Sequence, residues 1–196
     1  MKKLLLSLVA LAAFGFANAQ TKEKGAIEIT PKIGASSFAE LDGKDYTNYN
    51  SGVELGATVD YYFNNRWSLR SGLIFDKMGG EYNYNNVILE DKINYVSIPV
   101  NVNWHFGSTR KWNLNFGLSP SLLTSANTNG TDIKDGLESF QLGFSYGIGY
   151  KIEVTPKFGI LIDMQLYDGL TNIYADKNYK FTNSGGGFNV GAVLEL

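Results

Sequence analysis

The feature that most constrains the fold of this chain is a two-residue alternation of polarity between residues 140 and 154. Every even-numbered residue in this segment is large and apolar, whereas the odd-numbered residues are Gln, Gly, Ser, Lys or Glu. Because successive side chains of a β-strand point to opposite faces, the pattern predicts one strand with an apolar and a polar face. So long an unbroken alternation is typical of a barrel in lipid, where lipid-facing and lumen-facing residues alternate.

Seven further segments show the same alternation, so the sequence predicts eight strands. Their apolar positions lie within residues 27–33, 53–63, 67–75, 96–106, 112–118, 158–166 and 188–196. Four residues interrupt the pattern, which a packed lumen can tolerate: Ser71, Ile74, Leu161 and Val193. Aromatic residues gather near strand ends, as in the interfacial girdle of a membrane protein. They are Tyr61, Tyr62, Phe63 and Trp67 around one turn, and Trp104, Phe106 and Trp112 around the next.

The connections between the predicted strands alternate in length. Short turns are predicted at residues 64–66, 107–111 and 155–157, and long polar loops at 37–51, 79–92, 125–139 and 169–185. Short periplasmic turns and long extracellular loops are typical of outer-membrane barrels. The sequence therefore predicts an all-β fold, an eight-stranded antiparallel up-and-down transmembrane β-barrel.

Residues 1–19 are predicted to be a cleaved signal peptide, and residues 20–196 the barrel domain. Lys2 and Lys3 precede an apolar run of 14 residues, and Ala17 and Ala19 are the small residues that signal peptidase recognises. The run is shorter than the roughly 20 residues that a membrane-spanning helix needs, although an uncleaved anchor helix is the alternative. We therefore expect export to the cell outer membrane.

Charge and composition exclude several classes of function. Removal of Lys2 and Lys3 leaves 15 Lys and Arg against 19 Asp and Glu, whereas a nucleic-acid partner requires a basic face. The chain has one histidine and no cysteine, which disfavours a transition-metal site and excludes disulfides. Gly147 and Gly149 do not form a phosphate loop, because no helix follows them. We expect no cofactor.

Ten charged residues are predicted to face the lumen, three cations against seven carboxylates. They are Glu28, Lys32, Glu54, Asp60, Arg70, Asp76, Lys151, Glu153, Asp163 and Glu195. The lumen of an eight-stranded barrel is just wide enough to be filled by side chains, and buried charges must be paired or solvated. We interpret the set as a structural plug of salt bridges, with a cation path or proton relay as the alternative.

Three motifs suggest chemistry, but each has a structural explanation. Residues 143–147 match the G-x-S-x-G nucleophile elbow, yet they lie in mid-strand without the required strand-to-helix turn. His105 is predicted at the periplasmic end, away from the outer leaflet, as a histidine of the girdle or the turn. Residues 127–132 with Glu138 resemble a calcium loop, but the glycine falls at the fourth position instead of the sixth. We therefore predict no catalytic, cofactor-binding or metal-binding residue.

The predicted extracellular loops carry tyrosines among Asn, Gly and Ser. These are Tyr46, Tyr49, Tyr82, Tyr84, Tyr174 and Tyr179. Rigid aromatic anchors among adaptable polar residues are typical of binding surfaces. Tyrosine also belongs at membrane interfaces, so contact with outer membrane lipid is the other explanation.

Residues 93–104 resemble the Y-x-x-I-P strand of the PorT-like outer membrane β-barrel domain family, with Tyr95, Ile98 and Pro99 at the matching positions. The glycine-rich strand at 140–154 and the last segment, 185–196, are also similar to that family's. The resemblance implies an OmpA-like barrel, and some PorT-like relatives serve a protein-secretion apparatus. One departure is that such barrels often end on an aromatic residue, whereas this chain ends on Leu196.

The main functional hypothesis is a non-enzymatic outer membrane barrel with a structural or surface-binding role through its long loops. An accessory subunit of a secretion apparatus is the alternative. The third hypothesis is a lipid hydrolase or acyltransferase using His105 with Ser or Asp neighbours, and the fourth is a small channel.

Overall fold

The computed structural model describes residues 22–43 and 45–196, so the predicted signal peptide lies outside the described residues. Twelve β-strands and one short 3-10 helix, Lys134–Gly136, occur in this part of the chain. The strands are β1 (Ile27–Asp42), β2 (Asp45–Tyr46), β3 (Asn48–Asn64), β4 (Trp67–Met78), β5 (Gly80–Tyr84), β6 (Val87–Ser97), β7 (Val100–Phe106), β8 (Trp112–Thr128), β9 (Thr131–Asp132), β10 (Phe140–Thr155), β11 (Phe158–Gly169) and β12 (Thr182–Glu195). No helix in the described ranges is long and apolar enough to cross a bilayer.

Eight long strands close into one antiparallel ring. β6 and β7 together make a single strand of the ring, interrupted at Ile98 and Pro99, because proline has no N–H to donate to a neighbour. Neighbouring strands in the chain pair with one another, and β1 pairs with β12 as well as with β3. The ring therefore has no free edge. This confirms the predicted fold class and the eight strands.

The register of the ring sets the tilt of its strands. A path that follows paired residues around the ring from Leu122 of β8 passes Val96, Phe75, Leu55 and Ile33. It then continues over β12, β11 and β10 and returns to β8 at Trp112, ten residues earlier. A stagger of this size in eight strands corresponds to a tilt of about 40°. Ten residues of a strand then rise about 25 Å along the axis.

Side chains alternate between the two faces of the ring as the sequence predicts. In β10, Phe144 and Ile148 are exposed on the outside, whereas Gln141, Ser145 and Lys151 are buried in the lumen. Together the outward apolar side chains of the eight strands form a belt, for which we use the name apolar belt. Polar side chains occupy the inside over the same height.

An aromatic row marks the short-turn end of the belt. Trp67, Trp104, Phe106, Trp112 and Tyr150 follow one another across four strands, with ring centroids 4.8–6.3 Å apart. Tyr61 and Phe63 make a further edge contact on β3.

Tyr62 does not belong to the predicted girdle. Its side chain points into the lumen, where it is 1% exposed and donates a hydrogen bond to Glu28 Oε2 over 2.8 Å. The strand alternation continues to its end, so one of three consecutive aromatic residues must point inward.

The predicted long loops contain more β-structure than expected. Residues 37–51 and 79–92 are almost wholly strand, and 125–139 is partly so, whereas 170–181 is a true loop. The alternation of polarity fades beyond the apolar belt because the outward face no longer meets hydrocarbon. Backbone pairing nevertheless continues, so the strands extend well past the belt.

A central ion pair crosses the lumen. Arg70 contacts Asp60 through Nε and Nη2, each 3.0 Å from Oδ2, and its Nη1 lies 3.8 Å from Asp163. Asn103 and Ser68 donate to the other oxygen of Asp60, both over 2.8 Å. The carboxylate of Asp60 is therefore saturated by donors on two strands, β4 and β7, which matches the predicted salt-bridge plug.

Further ion pairs fill both ends of the lumen, and two of their cations were missed from the sequence. Lys32 pairs with Glu54 over 2.6 Å, and Lys151 pairs with Glu28 over 2.8 Å. Lys22 precedes β1, yet its ammonium reaches Glu28 and Glu195. Lys111, in a turn, lies 3.7 Å from Glu153. Among the described residues the lumen thus holds more positive charge than strand alternation alone predicts.

Replacement of Arg70 by alanine is expected to destabilise the barrel by about 3–5 kcal/mol, because Asp60 and Asp163 would stay buried without their cation. The measurement is the urea dependence of folding in detergent micelles, followed by heat-modifiable migration on gels. Lys157→Ala, in an exposed turn, is the matched control and should change stability by less than about 0.5 kcal/mol. Equal stability of both variants would contradict the plug.

Candidate functional surface

The lumen is closed at the long-loop end by an apolar cluster, which we call the cap. Its buried members are Phe38, Met78, Ile93, Tyr95, Leu123, Ala126, Leu137, Tyr167 and Ile173. Most of them occupy inward positions on strands whose lower inward positions are polar. Below the cap, a cavity of about 60 Å³ remains beside Lys32, Glu54 and Asp76, which is too small for a continuous pore.

Two loops contribute to the cap and are bonded to each other. Leu137 follows the 3-10 helix, and Ile173 lies in the 170–181 loop. The N–H of Glu138 donates to the carbonyl of Ile173 over 2.9 Å, and the N–H of Ala175 donates to that of Gly136 over 3.0 Å. These bonds hold two apolar loop side chains over the end of the lumen.

A pair of buried carboxyl groups lies at the cap, above the apolar belt. Glu40 and Asp91 are each 1% exposed, and Tyr174 donates to Glu40 Oε2 over 3.4 Å. Burial, together with the nearby charge of Asp91, raises the pKa of Glu40 to about 8. Burial also raises the pKa of Asp91, although a hydrogen bond from Thr128 opposes this rise. Burial therefore favours the protonated form of Glu40 in the closed cap.

The β5–β6 hairpin projects beyond the cap and carries exposed apolar side chains. Asn85 and Asn86 form its two-residue turn with φ of 50° and 65°, the left-handed conformation that asparagine tolerates. The next two residues, Val87 and Ile88, are 55% and 60% exposed. These residues, 85–88, are called the hairpin tip below.

Side chains of neighbouring strands anchor the hairpin below its tip. Asn129 donates to the carbonyl of Ile88 over 2.9 Å and accepts from the N–H of Glu90 over 3.0 Å. Lys77 lies 3.1 Å from Glu90, and β5 pairs with β3 at Gly80 and Tyr49. The tip is therefore presented on a supported strand pair rather than on a flexible loop.

The predicted tyrosine surface is only partly realised. Tyr46, Tyr49 and Tyr179 are more than half exposed. Tyr174 is half-buried against Phe181 and Tyr179, and thus belongs to the base of the 170–181 loop. Tyr82 is also half-buried. Sequence reasoning missed Val87 and Ile88, although two β-branched residues directly after Asn-Asn are a recognisable hairpin signal.

His105 lies near the short-turn end, as predicted, but its side chain is buried in the lumen and belongs neither to the aromatic girdle nor to the turn. Its ring stacks on Tyr62 at 4.8 Å, and Nε2 is 3.0 Å from Ser68 Oγ. Ser68 also donates to Asp60, so the hydroxyl connects imidazole and carboxylate. In a nucleophilic triad the histidine stands between serine and acid. Here the serine lies between the histidine and the aspartate, so the order is not that of a triad, and all three groups are buried in the lumen.

The two other sequence motifs lie in regular parts of the β-structure. Ser145 of the G-x-S-x-G segment points into the lumen and donates to Asn101 Oδ1 over 2.9 Å. Residues 127–132 form a tight hairpin at Asn129 and Gly130, both with positive φ. Within residues 22–43 and 45–196, no three His, Cys, Asp or Glu side chains are arranged to hold a metal ion.

Comparison with known proteins identifies the family. The model of the "Outer membrane protein beta-barrel domain" family matches residues 17–175. The chain belongs to this family. Its fold is similar to that of OprG from Pseudomonas aeruginosa, with 11% identity, a TM-score of 0.54 and coverage of 89% of this chain and 97% of that one. It is also similar to Neisserial surface protein A, with 15% identity, a TM-score of 0.52 and coverage of 86% and 97%. No curated protein sequence matches the chain.

Membership of this family places the barrel in the outer membrane, and the lengths of its connections give its orientation. The protein is an outer membrane β-barrel, and its apolar belt is embedded in membrane lipid. In bacterial outer-membrane barrels the short turns are periplasmic and the longer connections extracellular. The cap and the hairpin tip therefore lie on the extracellular side.

The cap is expected to open more readily as pH rises from about 5 to 8. In an opened cap, Glu40 is solvated and its pKa returns to its ordinary value of 4.5, whereas in the closed cap it is about 8. The closed state binds more protons between these two pH values. The contribution of Glu40 to the stability of the closed cap is therefore fully present below pH 4.5 and is lost as the pH rises towards 8. Hydrogen exchange near Ile173, normalised for intrinsic rates, should accelerate roughly tenfold or more.

The variant Glu40→Gln should reduce this pH dependence, because the amide cannot ionise. The pKa of Asp91 is also raised by burial, so Asp91 accounts for the pH dependence that remains in this variant. Glu138→Gln, at an exposed position on the same surface, is the matched control and should behave as the wild type. The same pH dependence in Glu40→Gln and wild type would contradict the assignment.

The wild-type barrel is expected to show no steady conductance in planar bilayers. The ion pairs fill the lumen at belt height, and the cap closes its extracellular end. Single-channel recording across a series of salt concentrations is the measurement. Current steps that scale with salt concentration would contradict a closed lumen.

Proposed function

We propose that this outer membrane barrel is a non-enzymatic surface-binding protein, exported by its N-terminal signal peptide. Its partner is a protein outside the cell, bound by the hairpin tip together with exposed tyrosines of the neighbouring extended strands. The contact lies within the segments 37–51 and 79–92, with 125–139 and 169–185 forming the rest of the extracellular surface.

The observation that carries this proposal is the exposure of Val87 and Ile88 on an anchored hairpin above the membrane. A partner that covers apolar surface removes it from water, which is favourable by roughly 25 cal/mol for each Å² buried. Because the strand pair is already ordered, binding loses little conformational entropy. Tyr46 and Tyr49, on β2 and β3 at the same end of the barrel, add the amphipathic contacts that protein interfaces favour.

The interior of the barrel supports a role without catalysis. His105 and Ser145 are buried in the lumen, and each is held by hydrogen bonds to other lumen residues. The cap lies between these two side chains and the extracellular end of the lumen. Binding on the outside is consistent with such a closed interior.

The alternative is an accessory subunit of a protein-secretion apparatus. It rests on the PorT-like resemblance at Tyr95, Ile98 and Pro99, which lie where β6 passes into β7. Both functions need a stable protein partner, but they differ in where that partner contacts the barrel. A secretion apparatus needs contacts that do not depend on the hairpin tip.

The double substitution Val87→Thr and Ile88→Thr should abolish partner capture. Threonine keeps the β-branched shape that suits the hairpin and removes the apolar surface. Intact cells are treated with a membrane-impermeant amine crosslinker, which can react with the partly exposed Lys92, and the barrel is then purified in mild detergent. Recovery of the partner should fall at least tenfold, since each buried Val or Ile contributes roughly 1.5–3 kcal/mol.

Val154→Thr provides the matched control, since Val154 is equally exposed but lies at the periplasmic end. It should retain the partner at the wild-type level. A partner kept by the hairpin variant would refute binding at the tip. If that partner were captured only by a membrane-permeant crosslinker, the secretion alternative would be favoured.

A further inference from the structure

A groove on the outside of the barrel follows the junction between β1 and β12. It has a volume of about 520 Å³ and runs beside the paired residues Ser37 and Gly186 and the paired residues Ala35 and Phe188. We call it the seam groove. Along most of the apolar belt large side chains cover the strands, whereas here the outward positions carry small side chains or none.

The backbone packing keeps this groove open. A Cβ atom on Gly186 would lie 2.4 Å from the carbonyl oxygen of Gln165 and 2.6 Å from a methyl carbon of Leu166. No larger residue fits at this position without moving the neighbouring strand. The depression therefore results from the close approach of β11 and β12.

The lining of the seam groove changes from apolar to polar along its length. Towards the middle of the membrane it is bounded by Met164, Leu166 and Phe188. Towards the extracellular end it is bounded by Ser51, Ser184 and Asp168. An outer-leaflet lipid has the same order of chemistry, with acyl chains inward and a polar head outward.

Asp168 gives the polar end of the groove its selectivity. Its carboxylate accepts hydrogen bonds from Ser184 Oγ over 2.6 Å and from Tyr146 OH over 3.2 Å. A carboxylate has about four acceptor sites, so two remain for a ligand. It would accept from a hydroxyl or an amide N–H, and it would repel a phosphate. The two serines opposite, Ser37 and Ser51, lie 3.4 Å apart and add further hydroxyl groups.

We propose that the seam groove binds one outer-leaflet glycolipid. One acyl chain lies along Leu166 and Phe188, and a sugar hydroxyl or amide N–H donates to Asp168. The groove is continuous with the belt that already contacts lipid, so a lipid reaches it without leaving the membrane. This site is separate from the hairpin tip.

The test uses delipidated, folded protein in dodecyl maltoside and native mass spectrometry. The probes are a diacylated glucosamine glycolipid and a phosphatidylglycerol with the same acyl chains. One glycolipid per barrel should be retained, and phosphatidylglycerol at least tenfold less. Equal retention of both lipids, or retention of detergent alone, would overturn the proposal.

Three variants assign binding to the groove. Ser37→Phe fills it opposite Gly186, an aromatic–glycine pairing that β-sheets accept well, and should lower glycolipid retention at least tenfold. Asp168→Asn keeps the shape of the side chain but removes its charge, so the ratio of retained phosphatidylglycerol to retained glycolipid should rise several-fold. Ala57→Phe adds the same side chain elsewhere on the belt and should change neither the retention of glycolipid nor the preference between the two lipids.

Heat-modifiable migration confirms the fold of each variant before lipid is added. If Ser37→Phe fails to fold, Asp168→Asn still tests whether the groove selects between the two lipids. An unchanged preference between the two lipids in Asp168→Asn would overturn the assigned role of the carboxylate.

Discussion

The structure depends on the closure of the backbone hydrogen bonds between β1 and β12. Hydrocarbon offers no water to an unpaired N–H or C=O, so a β-structure can cross a membrane only when it has no edge. Twelve residue pairs join β1 to β12, from Glu28 with Glu195 to Leu41 with Thr182. The same contact brings the glycine run of β12 beside the small residues of β1. Closure thus explains both the stability of the ring and the shallow groove on its surface.

Much of the fold could be predicted from the sequence, because hydrocarbon and lumen impose opposite demands on neighbouring residues. Phe144 and Ser145 show this directly, since one lies on the belt and the other is hydrogen-bonded inside. The prediction was wrong where that contrast ends. Beyond the belt, the outer faces of the strands meet water instead of hydrocarbon, so paired strand and loop have similar sequences. Lys22 was not predicted as a lumen residue, because it precedes β1 and strand alternation says nothing about residues outside the strands.

The candidate surface was less predictable than the barrel. The tyrosine content predicted a binding surface at the long-loop end, but Tyr174 packs against Phe181 and does not form part of a free surface. Val87 and Ile88 stand out only once the hairpin is seen to rise above the cap. The cap itself depends on hydrogen bonds between the loops that carry Leu137 and Ile173, which are distant in sequence and carry no local signal. The closed lumen and the exposed hairpin tip are the two observations on which the proposed surface role rests.

The measurement that tests the central claim most directly is a scan of side-chain environment along β10. The chain has no cysteine, so single cysteines can be placed at each position from residue 140 to 154 and spin-labelled. Collision rates with oxygen, which dissolves in lipid, are then compared with those of a water-soluble nickel complex in bilayers. Oxygen access should peak at every even-numbered position and fall at every odd-numbered one. Access without a two-residue period, or nickel access at the even-numbered positions, would contradict a closed barrel in the membrane.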